Sequence, residues 1–239
     1  MVLLVIGASS DMGMSLIRST HNHYNKIIAH YFHMSDELEA LRKEVGNKMV
    51  LIKADLSSEN EVTNLIAKTK EICDCPSHIV HFPAPKCNNS KFHKIQWDVF
   101  QNEYNISVRS AVLILQAFLP IMAKAHYGRV LIMLSYVVNN RAPAYCSNYV
   151  VTKYALWGLV KSLATEYAGK GITVNGISPS WVNTKYIENQ PDVLKQQYAA
   201  GSPIGRNLEI NEVTPTIIYL LSNGASCING ENITISCGK

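Results

Sequence analysis

The sequence predicts an α/β fold, a doubly wound, seven-stranded and mainly parallel sheet with helices on both faces. Three observations predict it. Short β-branched runs alternate with longer stretches of helical period along the chain. Of the 239 residues, 47% are hydrophobic and 17% charged, a balance that suits a sheet buried on both sides. No linker, repeat or low-complexity tract divides the alternation, so residues 1–239 read as a single domain around one core.

The expected strands are "VLLVI" (2–6), "KIIAHYF" (26–32), "MVLIKA" (49–54), "HIVHF" (78–82), "RVLIML" (129–134), "ITVNGIS" (172–178) and "NITIS" (232–236). Helical spacing places helices between them over Met14–Thr20, Asp36–Val45, Glu59–Glu71, Trp97–Ala125, Tyr149–Ala168 and Glu212–Ser222. The net charge of +4 is small and its lysines and arginines are scattered, which argues against a nucleic-acid partner. Cys73, Cys75, Cys87, Cys146, Cys227 and Cys237 have no metal-ligand spacing and read as reduced thiols, with no metal expected. The opening "MVLLVIGASS" is too short to span a bilayer and has no basic flank, so neither a signal peptide nor a membrane partner is expected, and the default compartment is cytoplasmic.

In a doubly wound sheet, ligands sit beyond the carboxyl ends of the strands, at the switch point in strand order. After the first strand comes Gly7-Ala8-Ser9-Ser10-Asp11-Met12-Gly13. Here Gly7 allows a tight turn, free amides at the helix start face an anion, and Gly13 permits close contact of helix and strand, as in a Rossmann-type dinucleotide site. The plainer alternative is a βα turn in which Ser9 or Ser10 caps the helix. Asp11 puts a carboxylate where a pyrophosphate would approach, so its side chain must point away or meet a ribose hydroxyl.

Tyr149 and Lys153 stand one helical turn apart at the start of a helix, so their phenol and ammonium can share one small volume. An ammonium favours phenolate and lowers the tyrosine pKa from its ordinary value of about 10. Reduction of a ketone by hydride needs such a proton donor as charge grows on the oxygen. The second strand ends without a carboxylate before Asp36, which favours NADPH over NADH. His33 is then either a neighbour of the 2′-phosphate or an exposed residue with no partner.

In this order, the segments resemble the short-chain dehydrogenase/reductase family, and most closely its 3-oxoacyl-thioester reductase-like members. The likeness covers essentially the whole chain and implies a nicotinamide dinucleotide cofactor. The phosphate turn TGxxxGxG appears as Ile6 to Gly13, with Asp11 in place of the middle glycine, and implies cofactor contacts at Gly7, Ser9, Ser10, Asp11 and Met12. "KADLSSENEV" is similar to the segment whose aspartate, here Asp55 with Leu56 beside it, meets the adenine. "HIVHFPAP" stands where the family has Asn-Asn-Ala-Gly, so Phe82 and Pro83 match it poorly. "VNGISPSWVNTK" resembles the segment that covers the nicotinamide, implying contacts at Pro179, Val182 and Thr184, although Ser180 replaces a glycine.

The resemblance also implies roles for four residues. Tyr149 is the proton donor, Lys153 tunes it and holds the ribose, Asn105 supports a water-linked proton path, and a serine holds the substrate. Ser135 is the serine at hand, while counting back from Tyr149 without a gap gives Tyr136. The segment at about 181–203, with its mixed polar, aromatic and proline content, reads as a substrate lid or as a plain surface excursion. Surplus apolar surface on the helices Trp97–Ala125 and Tyr149–Ala168, with Leu156, Leu159, Val160 and Leu163, suggests a homodimer or homotetramer, against tight packing within one subunit.

The leading expectation is an NADPH-dependent carbonyl reductase acting on a small-molecule or carrier-bound ketone. Asp11, "HFPAP", Ser180 and the displaced serine motivate a rival, a protein of this fold that has lost catalysis and serves as a binding partner in a biosynthetic assembly. An alcohol dehydrogenase using NAD shares the same residues.

Overall fold

The computed structural model describes residues 1–86 and 89–239; Cys87, read above as a thiol, lies outside the described residues. The strands are β1 (Val2–Ile6), β2 (Lys26–Tyr31), β3 (Met49–Lys53), β4 (His78–His81), β5 (Gly128–Met133), β6 (Ile172–Pro179) and β7 (Asn232–Ile235). They form one sheet in the order β3-β2-β1-β4-β5-β6-β7, and every pair is parallel rather than mainly so. The chain runs outward from β1 through β2 to β3, then returns to the other side of β1 as β4. The switch point therefore lies between the carboxyl ends of β1 and β4, where the Gly7 turn and "HFPAP" follow.

The helices are α1 (Asp11–Thr20), α2 (Asp36–Val45), α3 (Glu59–Ile72), α4 (Trp97–Tyr104), α5 (Ser110–Lys124), α6 (Ser147–Glu166), α7 (Asp192–Ala200) and α8 (Ile210–Leu221). Along β1, Leu4 and Ile6 join one core under α3, α5 and α6, while Leu3 and Val5 join the other under α1, α2 and α8. This alternation is the two-residue period of a strand covered on both faces.

Three departures from the expected elements have physical causes. Helix α1 begins at Asp11 rather than Met14 because the Ser10 hydroxyl caps it, accepting from the Gly13 amide at 3.1 Å. The helix expected over Trp97–Ala125 ends at Lys124 and is interrupted by a π-helical turn at Asn105–Arg109, where the Ser110 amide reaches back to the Asn105 carbonyl. Helix α7, within 181–203, was not expected, although Pro191 before it, Asp192 in its first turn and Gly201 after it are start and stop signals. The continuous helical run Trp97–Lys124 is long and apolar enough to cross a membrane by length and composition, yet half of its most apolar window is buried inside the protein.

The surplus apolar surface also lies elsewhere than expected. Leu156 and Val160 are fully buried in the core, while the exposed apolar residues of these helices are Trp97, Val99, Tyr104, Val151 and Tyr154.

Candidate active site

The turn after β1 is fixed to β2 by a residue that sequence reasoning missed. His30 is 2% exposed; its Nδ1 accepts the Gly7 amide at 3.1 Å and its Nε2 donates to the Ala54 carbonyl at 3.0 Å. That pairing requires a neutral ring protonated on Nε2, and burial, the dominant effect, pushes the His30 pKa below its ordinary value. The Ala8 amide donates to the His30 carbonyl at 2.8 Å. Gly7 itself has φ of +81°, a conformation that favours glycine. Beyond this anchored corner, the first-turn amides of α1 at Asp11 and Met12 have no carbonyl of their own helix to meet and remain donors for an anion.

The Asp11 carboxylate is engaged within the protein. Its Oδ2 accepts the Lys185 amide at 2.6 Å, and the Lys185 ammonium pairs with Glu37 at 2.6 Å. The carboxylate thus ties the segment after β6 to the phosphate turn. Replacing Asp11 with Ala is expected to speed hydrogen exchange at the Lys185 amide and to tighten dinucleotide binding several-fold, by removing a negative charge near the phosphates. Exchange-coupled mass spectrometry and nucleotide titration check both effects; unchanged exchange would show that the tie does not hold the segment.

The other expected contact residues line the carboxyl edge of the sheet. His33 is exposed, with its ring tilted against Phe32 at 4.1 Å. Asp55 closes its own turn, its Oδ1 accepting the Ser57 amide at 2.8 Å, with Leu56 buried beside it. Phe82 and Pro83 stand 3.4 Å from where a Cβ on Gly7 would lie, so the end of β4 borders the phosphate turn. Pro179 ends β6, Val182 bridges to Leu208, and the Thr184 hydroxyl donates to the Val182 carbonyl at 3.3 Å. Ser9 is half-buried in the turn, and Met12 packs against the core beneath α1.

At the start of α6, the Lys153 ammonium lies 5.6 Å from the centre of the Tyr149 ring and donates to the Met133 carbonyl, at the end of β5, at 2.7 Å. Lys153 is 2% exposed, and burial lowers its pKa to about 8, with nearby Glu103 acting in the opposite sense. Ser135 and Tyr136 follow β5 after Leu134, both half-buried; the Ser135 hydroxyl caps the short turn Tyr136–Val138 by accepting the Val137 amide at 3.5 Å. Asn105 opens the π-helical turn facing α6.

Three more buried polar residues surround this centre without having been expected. Glu103 is the one buried residue of α4 and accepts a hydrogen bond from the Asn148 amide on α6. Burial raises its pKa to about 7, with the Asn148 hydrogen bond and Lys153 opposing. His81 Nε2 donates to the Ser110 hydroxyl at 3.0 Å, and burial, then Lys153, hold its pKa down at about 3. Asn148 carried one available signal, its position beside Tyr149. Glu103 and His81 carried none, since a glutamate near the start of the expected helix Trp97–Ala125 reads as solvent-facing and His81 as one polar residue in an apolar strand.

Over this edge lies the segment 181–203. The Tyr186 hydroxyl donates to the Pro85 carbonyl at 3.1 Å, the Asn89 amide donates to Gln190 at 2.9 Å, and Trp181 stacks on Tyr198 at 4.0 Å. A cavity of about 290 Å³ opens between α4, the start of α6 and the loop after β4, reaching Asn148 beside Tyr149, while a larger one of about 510 Å³ lies behind Asp11 against α8; neither is lined by Tyr149 or Lys153. Among the described residues no cluster of histidine, cysteine, aspartate and glutamate could hold a metal.

A nicotinamide dinucleotide fits these residues: the glycine turn presents helix amides, the Asp11 carboxylate is taken up by the Lys185 amide, and a buried ammonium stands at the end of β5. The comparisons agree. The family described as enoyl-(acyl carrier protein) reductase matches residues 7–239. The chain is 28% identical over 247 residues to the oxidoreductase UcpA of Salmonella typhimurium, covering 99% of this chain and 93% of that protein. It is 26% identical over 242 residues to the 3-oxoacyl-(acyl-carrier-protein) reductase FabG of Rickettsia prowazekii, covering 98% and 95%. Levodione reductase shares the fold, with a TM-score of 0.90 at 24% identity over 99% of this chain and 96% of that one. With the family match running from the phosphate turn to residue 239, the chain belongs to the short-chain dehydrogenase/reductase family, oxidoreductases that act between carbonyl and hydroxyl groups with nicotinamide dinucleotides.

Proposed function

We propose that this oxidoreductase is an NADPH-dependent carbonyl reductase whose substrate is a ketone of the 3-oxoacyl thioester class. The observation that carries the reading is the Lys153 ammonium, buried, fixed to the Met133 carbonyl and set beside the Tyr149 ring. Bound nicotinamide supplies the hydride. Tyr149 gives the proton to the carbonyl oxygen as charge develops there, and the adjacent ammonium stabilises the phenolate left behind. Lys153 also holds the ribose hydroxyls, Ser135 orients the carbonyl, and Asn105 supports proton supply behind the lysine. The amides of Ser9, Asp11 and Met12 take the pyrophosphate beside Ser10, whose own amide closes the turn onto the Gly7 carbonyl at 3.1 Å; Asp55 and Leu56 border the adenine, and Phe82, Pro83, Pro179, Val182 and Thr184 border the nicotinamide.

The likeness to FabG at 26% identity supports the substrate class, and a solved 3-oxoacyl reductase of the same fold carries NADP. The preference for NADPH rests on the end of β2, where no carboxylate would meet a 2′-phosphate. The segment at about 181–203 is read as the substrate lid of a single catalytic domain. The exposed Trp97, Val99, Tyr104, Val151 and Tyr154 are read as the contact surface of a cytoplasmic homodimer or homotetramer.

A titration with NADPH and, separately, NADH, followed by nicotinamide fluorescence, is expected to show saturable binding that is tighter for NADPH. Oxidation of bound NADPH by a 3-oxoacyl thioester should follow. Binding of neither nucleotide would favour the non-catalytic reading that Asp11 motivates; NADH-linked turnover in the oxidative direction would favour an alcohol dehydrogenase.

A further inference from the structure

Glu103 is a buried carboxyl that the proposed reaction does not use. It is 3% exposed, and among the described residues its Oε1 has no hydrogen-bond partner, while Oε2 accepts from Asn148, the residue before Tyr149. It forms part of the wall of the 290 Å³ cavity, with Asn148, Asp98, Asn102, Pro85 and Lys86. It is also the acidic group whose field acts on Lys153.

We propose that Glu103 is a positioning residue of this site, acting through Lys153: its carboxyl, held by Asn148 at the inner wall of the cavity, keeps the buried lysine charged for its work on Tyr149. The inference rests on the reading of Tyr149 and Lys153 as the reacting pair. Burial disfavours the charged form of Lys153, and an ammonium that loses its proton no longer stabilises a phenolate. Glu103 supplies the opposing field from α4. The other ionisable groups around the pair are Tyr149 on α6, His81 on β4, held neutral by burial, Lys86 after β4, and Asp98 on α4 at the cavity mouth. An unpartnered, buried carboxyl oxygen is costly as an anion, so Glu103 carries a proton more readily than a surface glutamate, and its raised pKa agrees with this. Glu103 and Lys153 then titrate as a coupled pair near neutrality.

The test is Glu103→Gln, whose side-chain oxygen can still accept from Asn148. In the pH profile of kcat, the limb set by loss of the Lys153 proton is expected to move down by about one pH unit, the shift typical of losing one nearby opposite charge. Infrared difference spectra of the nucleotide-free wild type are expected to show a protonated carboxyl band that titrates near neutrality and is missing from the variant. A purely structural role would lower the melting temperature and leave the limb in place. An active, folded variant with an unmoved limb overturns the inference, and so does a wild type whose protonated carboxyl band persists through the pH range of activity, since a neutral carboxyl exerts no such field on Lys153; that second result decides the matter even if the variant fails to fold. Absence of any turnover by the wild type sinks the reductase reading instead, whereas an active wild type with an unmoved limb in the variant sinks only the role of Glu103.

Discussion

Replacing Tyr149 with Phe is expected to lower kcat by roughly 10²–10⁴-fold, the usual contribution of a positioned general acid, while nucleotide affinity changes little. The substitution removes one oxygen and keeps the ring beside Lys153, 5.6 Å from its ammonium. The lysine keeps its bond to the Met133 carbonyl, so its reach to a ribose is preserved. What is lost is the proton for the carbonyl oxygen, and with it the means of neutralising charge as hydride arrives. Single-turnover oxidation of bound NADPH, beside a fluorescence titration of the same variant, separates the two effects. Turnover retained at wild-type rate would remove Tyr149 from the role.

The second large effect is expected from Gly13→Ala. A Cβ at this position would lie 2.7 Å from the Gly7 carbonyl oxygen and 2.8 Å from the Ala8 Cα, both backbone atoms of the phosphate turn. Neither can rotate aside. Helix α1 must lift from the turn, at a cost of about 1–3 kcal/mol for an overfilled site, and the amides at its start then no longer converge on one anion. The predicted outcome is a lowered melting temperature with nucleotide affinity down by at least tenfold. The control is Gly158→Ala, on the exposed side of α6, where an added Cβ meets nothing within 4 Å. Unchanged nucleotide binding by Gly13→Ala would show that the turn tolerates a lifted helix.

The sheet was legible because its signal is local. Each central strand is an apolar, β-branched run with a turn after it, and alternation with helical periods leaves few topologies open. The Tyr149 and Lys153 pair was legible for a similar reason, since i and i+4 share a helix face whatever the tertiary context. What escaped was set by contacts between distant segments. His30 reads as one polar residue in a strand until Gly7 and Ala54 are brought to its two nitrogens. The direction of Asp11 depends on Lys185, far along the chain. The π-helical turn at Asn105 was hidden because an extra residue in an apolar helix leaves its composition unchanged.

That α4 buries one residue, and that this residue is a glutamate, gives the helix an unusual mechanical standing. With Trp97, Val99 and Tyr104 exposed in the single chain, it has little apolar area holding it to the body of its own subunit. It is a cantilever, carried on α5 through the π-helical turn and latched to α6 by the Glu103 and Asn148 bond. Loss of that latch would expose the Glu103 carboxyl to water, so the seating of α4 and the burial of the carboxyl stand or fall together.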